Sequence, residues 1–319
     1  MGSDTNVDRA IYDLLSKQCP AMWLGIPIGI GNVYWVDSVN GNDVNVGTQP
    51  NLALATITRA LVLCQNDHND YIMVIAAAAE AAIININKRR VHLIGVGNLL
   101  PRPNQTNAPV TLAAGGATGV LQVSTSSNYC EIAGFMIGGA ANCAGIENNA
   151  GTPIGLHIHD CVFGHTISGG APRDGILISL NAVNIRIENN IFLGTPGGKG
   201  LLTRDGIRWA SAADPLNGNI ENNQFKGLPG LAINFVSVLN ATGGITIKDN
   251  VIACKENPVV GDAITLAATT RGFLVQGNKA LYGKATAAMA VNPYLDLTVV
   301  APFNAWMENY KGNALIDPA

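Results

Sequence analysis

Along residues 132–280 the chain runs in short stretches of alternating apolar and polar positions, each broken at the same kind of residue. Ile187-Glu188-Asn189-Asn190-Ile191-Phe192 returns as Ile220-Glu221-Asn222-Asn223-Gln224-Phe225, a shift of 33 residues. Weaker copies start at Ile132, Ile158, Ile247 and Val275, so the intervals are 26, 29, 33, 27 and 28 residues. A period of this size that tolerates insertions is the mark of a repeat architecture. Each phrase reads as a strand with period two. It ends at a slot filled by Asp160, Asn189, Asn222, Asp249 and Gly277. These residue types enter the left-handed backbone region most cheaply, so the slot predicts a bend. The next slot holds Asn190, Asn223, Asn250 and Asn278, which predicts side-chain amides stacked along the coil axis. Phe163, Phe192 and Phe225, then Ile252, form a column expected inside the coil.

A second strand follows in each repeat. It reads Gly175-Ile176-Leu177-Ile178, then Gly206–Trp209, Ala232–Phe235, Ala263–Leu266 and Ala288–Val291. Short strands at near-equal spacing, with no helix between them, pair in parallel with their copies one coil away. The expected fold is therefore all-β: a single-stranded, right-handed parallel β-helix. Its coils lie roughly 4.8 Å apart, so about eight of them make a rod of about 40 Å. An amphipathic-helix repeat fits poorly, because Asn-Asn, Gly-Gly and β-branched residues crowd every unit.

Composition narrows the setting. Hydrophobic residues make up 48% of the 319 and charged residues 13%, with a net charge of −3. A surface this poor in charge suggests cover by other subunits, and the only basic cluster, Lys88-Arg89-Arg90, reads as a solvated turn rather than a nucleic-acid contact. The six cysteines form no CxxC pair or zinc spacing, and Cys130 and Cys161 stand inside strand phrases as expected buried thiols. Met1-Gly2-Ser3-Asp4 lacks the cationic start and apolar run of a signal peptide, and no apolar run reaches membrane-spanning length, so synthesis in a cytoplasm is expected.

Three regions are expected: 1–32, 33–300 and 301–319. Residues 4–19 read as an amphipathic helix, followed by the apolar, Gly- and Pro-broken stretch Met22–Gly31, an arm that either covers the rod or inserts into a neighbour. A helix over 56–63 is expected to cap the first coil, since a β-helix end exposes unpaired backbone. Tyr294 to Met307 is expected to cover the last coil, with an exposed tail over 308–319.

Trp35-Val36-Asp37-Ser38-Val39-Asn40-Gly41-Asn42-Asp43, Gly47-Thr48-Gln49-Pro50, Thr56–Leu61, Tyr71–Ile75, Glu80 and Val91–Gly97 together resemble the opening of pectate-lyase-like β-helix proteins, many of them phage-encoded. With the coils that follow, the resemblance covers roughly 33–295 and concerns the fold. Ala76-Ala77-Ala78-Ala79 departs from it, standing where such proteins carry a Pro-Gly turn and a Tyr. The resemblance implies a virion component.

Two groups of residues are candidates for chemistry. Arg173-Asp174-Gly175-Ile176 returns as Arg204-Asp205-Gly206-Ile207, which stacks Asp174 on Asp205. Adjacent carboxylates can split their pKa values and serve as acid and base in glycoside cleavage. The alternative is a corner stack neutralised by Arg173 and Arg204. His157, His159 and His165 are close in sequence, and the first two share a strand face that can hold a metal. No third, acidic ligand is evident nearby along the chain, so an outward polar pair is expected and no metal or cofactor is assigned. Neither the Gly-His-Gly loop of polygalacturonases nor an Asp-Asp pair is present: residues 164–166 read Gly-His-Thr.

The function expected from these features is a non-catalytic structural component of a phage or virus particle: a capsid decoration, tail or spike protein. It would be a homotrimer, joined to other virion proteins through residues 1–32. The alternative is a polysaccharide lyase or glycoside hydrolase acting on a surface glycan, with Asp174, Asp205 and Arg204 as its working groups.

Overall fold

Asp160, Asn189, Asn222 and Asp249 all adopt positive φ, between 51° and 58°, and Gly277 follows at 68°. The expected bend therefore recurs in every described coil of the repeat. Each bend joins a strand of one sheet to a strand of the next. A computed structural model describes residues 31–76, 78–80, 82–96, 110–114, 119–124, 126–138, 143–164, 173–194, 202–210, 215–236, 244–253, 262–281, 292–298, 304–311 and 314–315. The helix expected over 4–19, most of the apolar arm, His165 and the strand expected over 288–291 lie outside the described residues.

Three sheets result. The first stacks ten strands from Val33–Val36 through Asp70–Val74, Val91–Gly95, Glu131–Ala133, His157–His159, Ala182–Glu188 and Pro215–Glu221 to Ala305–Met307. The second runs from Ala78–Glu80 to Ala314–Leu315, and the third stacks eight strands from Ile84–Ile86 to Tyr294–Asp296. Every pairing is parallel except the last, where Ala314–Leu315 folds back on Tyr310–Lys311. This is a parallel β-solenoid. Sequential order within a coil is first sheet, bend, second sheet, loop, third sheet, loop.

The interior is a set of columns. Phe163, Phe192 and Phe225 stack face to face with ring centroids 4.7 Å apart, and Ile252 pairs with Phe225 in the next rung. Gly175 and Gly206 make room for these rings: a Cβ on either would stand 2.6 Å from the neighbouring Phe Cδ1. On the far side, Trp209 stacks on Phe235 at 4.8 Å.

The asparagine column binds the rungs. The Asn190 side-chain amide donates to Asn223 Oδ1 at 3.1 Å, Asn223 to Asn250 at 3.0 Å, Asn250 to Asn278 at 2.9 Å and Asn278 to Asn309 at 2.9 Å. The same acceptor oxygens also take the backbone N–H of the preceding Asn, and the second amide proton goes to a carbonyl one coil back, such as Ile187 O from Asn223. These asparagines are buried, yet both ends of each amide from Asn190 to Asn278 are used. Satisfying the corner in this way meets the rule that buried polar groups find partners.

The first coil is closed by the expected helix, Ile57–Leu63. Thr56 Oγ1 accepts from Arg59 N as an N-cap, and Glu80 accepts from Ile57 N at 2.6 Å and Thr58 Oγ1 at 2.9 Å. A carboxylate at the helix start also suits the positive end of its dipole. Ile57, Ala60 and Leu61 face the core. The far end differs from expectation. Tyr294–Asp296 and Ala305–Met307 do not simply cover the last coil; they pair in register with Ile264–Leu266 and Leu274–Gln276 as another rung. Tyr310–Lys311, expected in a tail, pairs with Lys279 and Ala280.

Two substitutions test this architecture by chemical denaturation. Phe192→Ala should cost about 3–5 kcal/mol, the range for a buried aromatic, whereas Val251→Thr on an outward position should stay within about 0.5 kcal/mol. Asn223→Ala removes the acceptor of one Asn190 amide proton and of the Asn190 N–H, and a donor to the Ile187 carbonyl. At ~1–3 kcal/mol for each stranded buried group, it should cost as much as Phe192→Ala although far less volume is removed.

Candidate functional site

On the first sheet, Ile132, Ile158 and Ile187 point inward with 0% exposure. Alternation then places their neighbours outside. Two outward columns result. One runs His92, Glu131, His157, Arg186, Asn219; the other runs Ala133, His159, Glu188, Glu221, Lys248. Stacking of one rung on the next leaves Glu131 and His159 with side-chain exposures of only 8% and 9%.

Glu131 is the centre of this flank. Its Oε2 lies 2.5 Å from His92 Nδ1, and its Oε1 lies 2.7 Å from His159 Nε2. His159 Nδ1 faces Asp160 Oδ2 at 2.8 Å. Both His159 nitrogens thus face carboxylates, which can only accept, so the ring is doubly protonated. His157 stacks on His159 with centroids 4.1 Å apart, and its Nε2 donates to Glu188 Oε1 at 2.5 Å. Arg186 Nη2 donates to the same oxygen at 2.8 Å.

These contacts move the titrations apart. Burial works against the Glu131 charge, but the His159 and His92 hydrogen bonds outweigh it and bring its pKa from 4.5 down to about 2. Burial likewise opposes the His159 charge, and Asp160 and Glu131 overcome it, raising its pKa from 6.5 to about 9. Burial lowers His157, and the neighbouring His159 charge adds to that. The hydrogen bond from His157 leads in holding Glu188 at about 2, while burial and the Glu188 charge raise Glu221. Opposed shifts of this kind set apart groups that keep a proton from groups that have lost one.

The sequence reading treated His157 and His159 as an outward pair without a nearby acid. That is corrected here: Glu131 supplies the acid, 26 residues before His157 but directly opposite it in the adjacent rung. The ligating atoms of Glu131, His157 and His159 all lie within 4.8 Å of one another. A signal for this was present, because the phrases starting at Ile132 and Ile158 align Glu131 with His157.

The expected carboxylate ladder forms at the start of the third sheet. Asp174 and Asp205 occupy adjacent rungs and are 0% and 2% exposed. Asp174 accepts from Arg204 Nε at 2.7 Å, from Arg204 Nη2, and from Asp205 N at 3.2 Å. Asp205 accepts from Arg208 Nη1 at 2.7 Å, Leu231 N at 2.8 Å and Asn234 Nδ2 at 2.9 Å. Burial opposes the Arg204 charge, yet Asp174 and Asp205 raise its pKa. Arg204 therefore neutralises the stack, with Arg173 only at 4.0 Å from Asp174. Arg208 and Asn234, which the sequence reading passed over, complete it. Beside the capping helix a groove of about 280 Å³ is lined by Thr58, Leu61, Val62, Ile83, Asn85, Asn87 and Lys88. Among the described residues its lining includes one titratable side chain, Lys88.

Solved structures that are similar to the chain include two named as carbohydrate-active enzymes. One is a GH136 lacto-N-biosidase from Eubacterium ramulus, 12% identical, with a TM-score of 0.34 over 96% of this chain and 72% of that one. The other is an alginate lyase from Paenibacillus sp. str. FPU-7, 16% identical, with a TM-score of 0.35 over 81% of this chain and 96% of that one. No protein-family model and no curated protein matches the sequence.

The Glu131–His159 pair predicts a two-sided pH profile of thermal stability. A depressed carboxylate contributes fully above its unfolded pKa, and that contribution fades as pH falls from 4.5 towards 2. A raised imidazole contributes fully below its unfolded pKa, and that contribution fades as pH rises from 6.5 through 9. Melting curves should place the pair's full contribution between about pH 4.5 and 6.5, and Glu131→Gln should flatten both arms.

Proposed function

We propose that this chain is a structural β-solenoid of a phage or virus particle, a capsid decoration, tail or spike protein that acts by shape and attachment. The observation that carries this reading is the use made of the carboxylate ladder. Asp174 and Asp205 each accept three hydrogen bonds within the coil, so the residues best placed in sequence for glycan cleavage serve as struts between rungs. Removing one partner of such a buried pair costs about 3–5 kcal/mol. Two features support the reading. Charged residues are only 13% of the chain. The first coil and its helix leave Val39, Val44, Val46, Leu52 and Val62 exposed, apolar side chains that an assembled particle would cover. Residues 1–32 serve in this reading as the attachment arm, and the rods associate as a homotrimer through a lateral face.

A second reading, a polysaccharide lyase or glycoside hydrolase, is favoured by the His–Glu flank. It gathers imidazoles and carboxylates, the residue types that acid–base cleavage of a glycan requires. Under this reading the working groups are His157, His159 and Glu131 rather than Asp174, Asp205 and Arg204.

Wild type, Asp205→Asn and His157→Ala, all full length, should be incubated with a panel of acidic and neutral polysaccharides while reducing ends and unsaturated products are followed. The structural reading expects no turnover, and a trimer in sedimentation. Turnover abolished by His157→Ala would replace it with the second reading. Turnover abolished by Asp205→Asn, in a folded protein, would return the ladder to the role of active site. A monomer would remove the trimer.

A further inference from the structure

We propose that Glu131, His157 and His159 form a binding site for a divalent transition-metal ion of the zinc class. The proposal concerns the flank itself and holds whether or not a glycan is cleaved there. Its basis is geometry. His157 and His159 stand two residues apart on one outward strand face, and Glu131 faces them from the adjacent rung. One ligating atom from each comes within 4.8 Å of the other two. Parallel stacking holds both strands in fixed register, so the three groups are positioned by the coil rather than by a loop.

The donor set selects the ion. Two imidazoles and one carboxylate suit zinc and its first-row neighbours, whereas calcium and magnesium take all-oxygen sets. His159 Nε2 and Glu131 Oε1 lie 2.7 Å apart with a proton between them. Zinc–nitrogen and zinc–oxygen bonds of roughly 2.0–2.2 Å fit those two atoms once that proton leaves and the pair opens by roughly 0.6 Å, the spread of two donors on a tetrahedral ion of that bond length. His157 joins from the stacked ring, and Glu188, on His157 Nε2 at 2.5 Å, is the nearest further carboxylate.

The surroundings match what orients such ligands. A ligating histidine commonly gives its second ring nitrogen to a carboxylate, and a ligating carboxylate is itself hydrogen-bonded. His159 does the first through Asp160 at 2.8 Å, and Glu131 does the second through His92 at 2.5 Å. His92 is in turn held by Asn69 Oδ1 at 2.9 Å. Three protein ligands leave a coordination position for water or an outside group. Binding displaces protons from the histidines, so affinity should fall as pH drops.

The test uses the full-length protein, stripped with a chelator and kept reduced, titrated with Zn²⁺ by calorimetry and with Co²⁺ by visible absorption. One saturable site is expected, with the d–d bands of a four- or five-coordinate cobalt centre and a raised melting temperature. His157→Ala and Glu131→Gln should each abolish the cobalt bands. His92→Ala, which touches only the orienting shell, should weaken binding by ~10–100-fold. Circular dichroism of each variant separates lost ligation from lost folding; if Glu131→Gln does not fold, the more exposed His157→Ala decides. Absence of saturable binding by wild type at neutral pH overturns the proposal. So does a site that survives His157→Ala in a folded protein, which would place the ion elsewhere.

Discussion

The solenoid depends on a way of turning a corner without stranding backbone groups. A left-handed residue at each bend folds the chain sharply, and the amide and carbonyl groups exposed by that turn are sealed inside the protein. One asparagine per coil satisfies them. Its carbonyl oxygen takes a backbone N–H and an amide proton from the coil before, and its own amide serves the coils on both sides. Hydrogen bonds linked head to tail in a low-dielectric interior strengthen one another. The same side chain thus supplies corner chemistry and inter-rung adhesion, and the strands need to contribute only their ladders and their apolar faces.

With the corner settled, the remaining interior is free to be apolar. The Phe163–Phe192–Phe225 stack lies beside glycines that leave no side chain in its way, and the Trp209–Phe235 pair fills the opposite side. One group of polar side chains buried outside the asparagine column forms a ladder too, whereas Asp37 is satisfied within its own turn and Glu80 by the capping helix. Asp174, Arg204, Asp205, Arg208 and Asn234 link three successive rungs of the third sheet. In this ladder the neighbouring coil supplies most of the partners, and Arg208 adds one to Asp205 from within its own coil.

That property explains what could be read from the chain and what could not. Bend, asparagine slot and phenylalanine column were legible because they recur at one place in the phrase, and recurrence stands in for contact when coils stack in register. The helix over 56–63 was legible because an exposed first coil needs a cap and because the opening resembles that of pectate-lyase-like β-helix proteins, while its Thr56 N-cap was not singled out. Glu131 was missed because a search for acids near His157 and His159 followed the chain instead of the stack. Asn234 was missed for the same reason, whereas Arg208, only three residues beyond Asp205, was within reach along the chain and was passed over. The last rung escaped because Tyr294 and Trp306 do not match the repeat phrase, and the prolines at 293 and 302 read as breakers. Asp296 accepts the Trp306 indole N–H at 2.8 Å, and Tyr294 donates to the Asn278 carbonyl at 2.9 Å, so this rung has contacts of its own in place of the repeat's.

The asparagine column has a bearing on how such a molecule changes over generations. Each coil hands the next the same pattern that it received: a backbone N–H, an amide proton and a carbonyl oxygen. A duplicated or deleted stretch of about one period would leave that pattern continuous, since the join on either side is chemically identical. Length is then a heritable dimension adjustable in whole steps, like the rungs added to a ladder. The flank carrying His92, Glu131, His157 and His159 lacks that freedom, because an extra coil inserted between Glu131 and His157 would part the cluster. Growth of the lineage is open above and below those coils and closed within them.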